Sequence, residues 1–339
     1  APSGGSNPAI GGSFGTFTGG AATGTNFTWG NVGVITVTPS VGDADYLGAG
    51  DVTGTTSGNV GRFYPDHFET VVTGPMNCGA LSFTPACPSG NYLVYSGQAF
   101  SVQVTAVTLA GATTANYAYS ATAAANFART VTLSSVDALG GVAITVGVGT
   151  LSAATAADST FAAGSNSLTL AAPVFSFATA PTAPTNLFIR ATDGDGVTSL
   201  RSPANTSVEG GIKIVSGRLQ IDNMYGPPTS RLGTKARALY WSGTQWARNT
   251  SDTASGAATG NFALGDTSTC VTPTFCGITL SSATALAGAD GEFRVVLTPP
   301  TSGSGRRSVL LNSSLSYLAG SGRQTWGSFR APYIYQRER

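Results

Sequence analysis

Short runs of alternating apolar and polar residues recur along this chain, and almost none has a helical period. Residues 32–38 read VGVITVT, and residues 98–109 read QAFSVQVTAVTL with Phe100, Val102, Val104 and Ala106 on one side. The two-residue period returns in RTVTLSSV (129–136), LFIRAT (187–192), GIKIVSGRLQID (211–222), ARALYW (236–241), EFRVVLT (292–298) and SVLLNSSLSY (308–317). Side chains of a strand point alternately to its two faces, so each run predicts a half-buried strand. Gly, Pro, Asn and Asp between the runs supply the turns. Residues 151–172 are rich in Ala, Ser and Thr, but Thr155, Thr160 and the polar 165–167 segment favour strand and loop over helix. Strands at this density predict an all-β chain of sandwich type.

The punctuation divides the chain. The run ATAPTAPT at 178–185 carries two prolines that block ladder bonding, and it marks a linker or a sheet crossing. The reading is two immunoglobulin-like β-sandwich domains, at 60–180 and 185–339, with residues 26–59 adding edge strands to one of them. Residues 1–25 form an uncharged Gly/Ala/Ser/Thr arm whose apolar anchors are Ile10, Phe14 and Phe17. Such an arm can add as a strand to the open sheet edge of a neighbouring copy, with those three side chains filling pockets. The chain opens on APSGGSNP without Met, which reads as a processed end or an excised segment.

Composition sharpens this picture. Charged residues make up 10% of the 339, with one histidine, His67, and two lysines, Lys213 and Lys235. An average soluble protein is about 25% charged. Acid–base and metal chemistry draw on the residue types this chain lacks, so contact is favoured over turnover and no enzyme is expected. A net charge of +1 with scattered arginines argues against a nucleic-acid partner. It also offers little resistance to self-association. No apolar run reaches the ~18–20 residues of a membrane helix, so no membrane span is expected.

Four cysteines lie in two close pairs, in CGALSFTPAC (78–87) and CVTPTFC (270–276). Local pairing of Cys78 with Cys87 and of Cys270 with Cys276 is the preferred one of three connectivities. Neither spacing is the usual zinc knuckle. Disulfides imply an oxidising compartment, hence an extracellular or cell-surface location.

Several segments carry a resemblance: FTWGNVGVITV (27–37), ADYL (44–47), VGRFYPDHF (60–68), YSGQAF (95–100), SGRLQIDNMYG (216–226), LYWSGTQW (239–246) and GSFRAPYIYQRE (327–338). In this order they resemble the large C-terminal domain of MshQ-like proteins, which are encoded with the mannose-sensitive haemagglutinin type of type IV pilus. The resemblance implies an envelope-associated or secreted protein and carries no biochemical activity over. A lectin-like sandwich often stands upstream in that family, where this chain has only the Gly-rich arm.

Five features are candidates for chemistry. His67 beside Asp66 suggests a triad with Asp66 or Asp45 and a serine, but no G-x-S-x-G elbow supplies the nucleophile. A ring packed at a proline turn, its N–H on a backbone carbonyl, is the preferred reading. Asp193 and Asp195 in Asp-Gly-Asp-Gly suggest calcium, the one candidate cofactor, although position 12 of an EF-hand loop would be Ala204. A hairpin turn is the ordinary use of Asp-Gly. Asp43, Asp45 and Asp51 form the densest acidic patch and read as a solvated loop. Lys213 alternates with Ile212 and Ile214, so it is expected to be exposed. Buried beside an Asn or Asp, it would suit an isopeptide bond. Trp241 and Trp246 flank a Ser-Gly-Thr turn, and with Trp326, Tyr333 and Tyr335 they suit either a core or the stacking of a surface glycan. The functional expectation is an adhesive or structural pilus subunit whose partners are filament neighbours. The alternative is a glycan-binding adhesin module.

Overall fold

The computed structural model describes residues 5–41, 46–48, 50–79, 81–161, 167–170, 172–265, 277–288, 290–301 and 307–327. Among them the chain is all-β, and isolated 3-10 turns are its only helical segments. Two sandwiches account for most strands.

The first sandwich packs a six-stranded sheet on a three-stranded one. The larger runs, in spatial order, Thr155–Ala156, Val131–Val136, Thr185–Asp193, Gly211–Val215, Tyr92–Tyr95 and Met76–Asn77. The smaller runs Ser167–Leu170, Ser101–Val107 and His67–Thr73. Register explains the core. Phe68, Thr70 and Val72 lie opposite Ala106, Val104 and Val102, and all six are buried. Across the layer, Leu187, Ile189 and Ala191 alternate inward with Val131 and Leu133. Tyr117 packs edge-on between Phe68 and Phe161.

The second sandwich faces a five-stranded sheet toward a four-stranded one. Strand Leu232–Trp241 lies between Gly217–Ile221 and Glu292–Leu297, with Trp246–Arg248 also paired to its end. Leu232 and Ala236 sit opposite Leu297 and Phe293, and these side chains meet Val309, Leu311 and Trp326 of the other sheet. Trp326 is fully buried and its indole N–H donates to the Ser230 carbonyl at 2.9 Å. It is therefore a core residue, while Tyr333 and Tyr335 lie outside the described residues.

The two cores share a wall. In strand Tyr92–Tyr95, Val94 points into the first core, and Leu93 and Tyr95 point into the second. In strand Gly211–Val215, Ile214 belongs to the first core and the next residue, Val215, to the second. The cores thus part after Ile214, not in the proline run at 178–185. Strand Thr185–Asp193 pairs with Val131–Val136 and Gly211–Val215, which ties residues 185–214 to the first sandwich.

Residues 26–59 also differ from the expected edge strands. Strand Gly33–Ile35 pairs with Val60–Phe63, and Ser40–Val41 pairs with Val52–Thr53. Further bonds from the Ser57 N–H to the Val37 carbonyl and from the Gly54 N–H to the Pro39 carbonyl continue the antiparallel pairing of 33–41 with 52–63. These Gly/Thr-rich strands offer no continuous apolar face for a sandwich sheet.

Candidate functional site

A cleft of about 370 Å³ opens where the two sandwiches meet. Ser96, Ala180, Pro181, Arg218, Trp246 and Tyr317 are among the residues that line it. The hairpin turn at 242–245 sets Trp246 directly opposite Trp241, their rings edge to face at 5.5 Å. Ser242 closes that turn by donating its hydroxyl to the Gln245 carbonyl at 2.9 Å. The Arg218 guanidinium lies over the Trp246 ring, 4.9 Å from its centroid. Trp246 and Tyr317 are half-buried, and Arg218 is exposed.

A buried polar network holds this cleft in shape. Tyr317 stacks on Tyr95 with centroids 6.0 Å apart. The Tyr95 hydroxyl donates to Asp252 Oδ2 at 3.0 Å and accepts from Asn249 Nδ2 at 2.7 Å. Asp252 Oδ1 accepts the backbone N–H groups of Ala254 and Ser255. Burial, reinforced by the Asp252 charge, pushes the Tyr95 phenol well above its ordinary range, so it stays a neutral donor. Tyr95 belongs to the first sandwich and Asp252 to the second, so the network bolts the two together.

The arm forms a second feature. It does not run as a single strand: Gly11 bridges Thr28 and Thr18 bridges Ala21, which folds it into its own hairpin. Gly19 and Gly20 at the tip both have positive φ, the requirement of a tight hairpin turn. Phe14 contacts both Phe17 and Phe27, yet Phe14 stays 54% and Phe17 68% exposed. Ile10, Phe14 and Phe27 line an apolar groove of about 390 Å³ together with Ile35, Val60 and Phe63. At its base the arm is clamped. The Asn116 side-chain amide exchanges two hydrogen bonds with the backbone of Ser6, at 2.8 Å each, and Asn31 donates to the Ser6 hydroxyl.

The remaining candidates are accounted for locally. Asp193 Oδ1 accepts the N–H groups of Asp195 and Val197, and Oδ2 accepts the Tyr117 hydroxyl at 2.6 Å. Burial raises the Asp193 carboxyl, against the lowering effect of those bonds. Asp195 pairs with Arg62 at 2.9 Å and Arg129 at 3.3 Å. A cation at this turn would have to displace two guanidinium groups. No cluster of three or more His, Cys, Asp or Glu suited to a metal occurs among the described residues. His67 is 3% exposed, as a packed ring should be. Its Nδ1 meets Asp66 Oδ2 at 2.8 Å, so a carboxylate takes the place of the expected backbone carbonyl. No hydroxyl nucleophile bonds to it among the described residues.

Lys213 overturns its expectation: it is 0% exposed. Alternation does place it opposite the isoleucines, but that outer face is covered by loop 78–88. Its ammonium donates to the Pro85 carbonyl at 2.7 Å and lies 5.5 Å from the Phe83 ring centroid. Burial lowers it to about 8. Asn186 is its cross-strand partner, but that amide donates to the Ala86 carbonyl, and no carboxylate pairs with Lys213 among the described residues. The loop is stapled by the Cys78–Cys87 disulfide. Cys270 and Cys276 lie outside the described residues, as do Asp43 and Asp45.

Two family models divide the chain where the cores divide. The third domain of DUF6701 matches residues 31–214, and the fourth domain of DUF6701 matches residues 215–339. The chain belongs to the DUF6701 family. The border of the DUF6701 domains, at 214/215, falls between the residue that enters the first core and the residue that enters the second. No curated protein matches this DUF6701 chain. Among solved structures it is similar to a chimeric titin Z1Z2 tandem, at 10% identity and TM-score 0.19, covering 70% of this chain and 94% of that one. It is similar to domains 4 and 5 of the S-layer protein SbsC, at 10% identity and TM-score 0.20, covering 76% and 97%. An endo-fucoidan hydrolase of glycoside hydrolase family 107 matches at 12% identity and TM-score 0.21, covering 71% of this chain but 34% of the enzyme. At such scores none of these bears on what the DUF6701 chain does.

The sequence singled out Trp246 and the arm's aromatic residues, but not Arg218, Tyr317, Asn31, Asn116 or the Tyr95 network. Arg218 lies on the short strand Gly217–Ile221 just past the domain border, and nothing in its local sequence sets it apart from the other arginines.

Proposed function

We propose that this chain is a non-enzymatic, extracellular structural or adhesive subunit of a bacterial pilus or other surface filament, and that its N-terminal arm joins neighbouring copies. The observation that carries this is the exposed aromatic face of the arm hairpin, set on a groove with no charged lining. Burying a phenylalanine contributes about 1.5–3 kcal/mol, so Phe14 and Phe17 on a neighbour supply a substantial interface anchor. The Asn31–Asn116 clamp supports the same reading, because it grips the Ser6 backbone and suits the equivalent segment of another copy. Strand addition then requires the hairpin to open, which its few, widely spaced bridges make inexpensive. The disulfide supports an oxidising location, and the resemblance to MshQ-like proteins supports the pilus setting.

Electron microscopy of the native protein, with its mass in solution, tests the proposal. Ordered polymers that disappear on deletion of residues 1–25 support it. Polymers that survive the deletion, or a strictly monomeric protein at all concentrations, remove it.

The cleft carrying Trp246, Arg218 and Tyr317 favours a second reading, a glycan-binding adhesin module. The two readings part on whether the monomer binds saccharide.

A further inference from the structure

We infer that the cleft between the sandwiches binds an acidic saccharide. The Arg218 guanidinium takes the sugar carboxylate, the Tyr317 ring takes a sugar face, and Trp246, one face of which Arg218 covers, walls the cleft beside them. This rests on the glycan-binding reading and is independent of assembly.

Arg62, Arg129, Arg190, Arg201, Arg237 and Arg248 all pair with carboxylates. Arg218, like Arg231, Arg294 and Arg323, makes no such pair among the described residues, and what sets it apart is its place in the cleft, stacked on the Trp246 ring. No acidic residue lines the cleft. The site is therefore cationic without internal compensation.

Geometry makes that cation selective. A guanidinium stacked on an aromatic ring keeps its N–H edge free, and that edge matches a carboxylate in a bidentate, coplanar pair. Stacking has already ordered the side chain, so little further entropy is lost on binding.

The remaining lining suits a sugar. The hydroxyls of Ser316 and Tyr317 make no hydrogen bond within the described residues, so both are available to ring hydroxyls. Ala180, Pro181 and Ala319 add apolar wall. The volume of about 370 Å³ lies within the ~300–1,000 Å³ of small-ligand sites. An acidic peptide is the competing ligand, and an extended one would gain its main-chain hydrogen bonds by adding to an open sheet edge. At strand Gly217–Ile221 that edge is occupied, since the Leu219 N–H donates to the Ala319 carbonyl at 3.1 Å.

Calorimetric titration of the full chain tests the inference. The probes are oligomers of galacturonate, mannuronate and hyaluronan, their carboxyl-reduced neutral counterparts, and oligo-aspartate. The expected result is that at least one acidic oligosaccharide binds about tenfold or more tightly than its reduced form, the difference a charged hydrogen bond supplies. Added salt should weaken that binding, and a chelator should leave it unchanged. Arg218→Met should lower the acidic affinity to that of the neutral form, while Trp246→Ala weakens both. Equal affinity for acidic and reduced forms overturns the inference but keeps the glycan-binding reading. An unchanged acidic affinity in Arg218→Met, or oligo-aspartate binding in place of saccharide, overturns it too. Failure of every saccharide removes both. Arg218 is exposed, so its variant is expected to fold, and a matching thermal transition checks that.

Discussion

Lys213 holds an amine where water does not reach, and the stability of the protein therefore depends on its proton. Its pKa is lowered by burial to about 8 from an ordinary 10.5, so between those values the unfolded chain binds more protons than the folded one. Stability then rises with pH across that window, by at most about 3 kcal/mol at 1.36 kcal/mol per unit. Burial raises the phenols of Tyr95, Tyr117 and Tyr240 instead. Unfolding releases their protons above pH 10, and stability falls there. Urea midpoints should climb from pH 8 to about 10 and then decline. Lys213→Met should be flat over the rising limb and more stable than the parent at pH 7. A rising limb that persists in Lys213→Met places its origin elsewhere. Tyr95→Phe removes a hydroxyl that serves Asp252 and Asn249 at once, and leaving those groups unpaired should cost roughly 1–3 kcal/mol in the same measurement. Neither residue could be read correctly from the sequence. Alternation told only that Lys213 opposes Ile212 and Ile214, and nothing local reveals that loop 78–88 returns to cover the other face. Tyr95, Asn249 and Asp252 are more than 150 positions apart or join across a loop, so no spacing rule connects them.

Among the elements, the stapled loop is the one with the most consequence. Leu81, Phe83 and Cys87 pack on the second core, while the Pro85 and Ala86 carbonyls accept from Lys213 and Asn186 of the first sandwich. The loop is a wedge between the two. The Cys78–Cys87 bond closes only a short ring, worth about 2–3 kcal/mol in chain entropy, but what it orders is the junction. Replacing both cysteines by serine should lower the unfolding free energy by that amount, read as a lower urea midpoint at unchanged m. It should also speed amide exchange at residues 78–91 and 213–215 ahead of the sheet centres. Uniform loss across both sandwiches would contradict the wedge role. Most other elements were legible. The runs at 98–109, 129–136, 187–192 and 292–298 became Ser101–Val107, Val131–Val136, Thr185–Asp193 and Glu292–Leu297, because one face of each meets a core and period two survives. The internal hairpin of the arm went unread. Its Gly-Gly at 19–20 is a hairpin signal, hidden in a segment where glycine is everywhere.

At the scale of the molecule, two sandwiches joined by a flexible linker would unfold separately, and these should not. Strand Tyr92–Tyr95 gives side chains to both cores, and Met76 and Cys78 of the first domain complete the second. The Tyr95–Asp252 bond crosses the border inside the protein, where an unpaired partner is expensive. Calorimetry of the oxidised chain should therefore give one transition whose calorimetric and van't Hoff enthalpies agree. Asp252→Ala should shift that transition down, or split it, by weakening only the junction. A fragment of residues 215–339 lacks Met76, Cys78, Leu93 and Tyr95 from its core wall, so it should expose apolar surface and bind ANS. Two resolved transitions in the parent, or a tightly folded 215–339 fragment, would show that the shared wall does not couple the domains. Coupling matters for the proposed role. A filament under load transmits force through each subunit, and the cleft at the junction keeps its shape only while both sandwiches hold the same network.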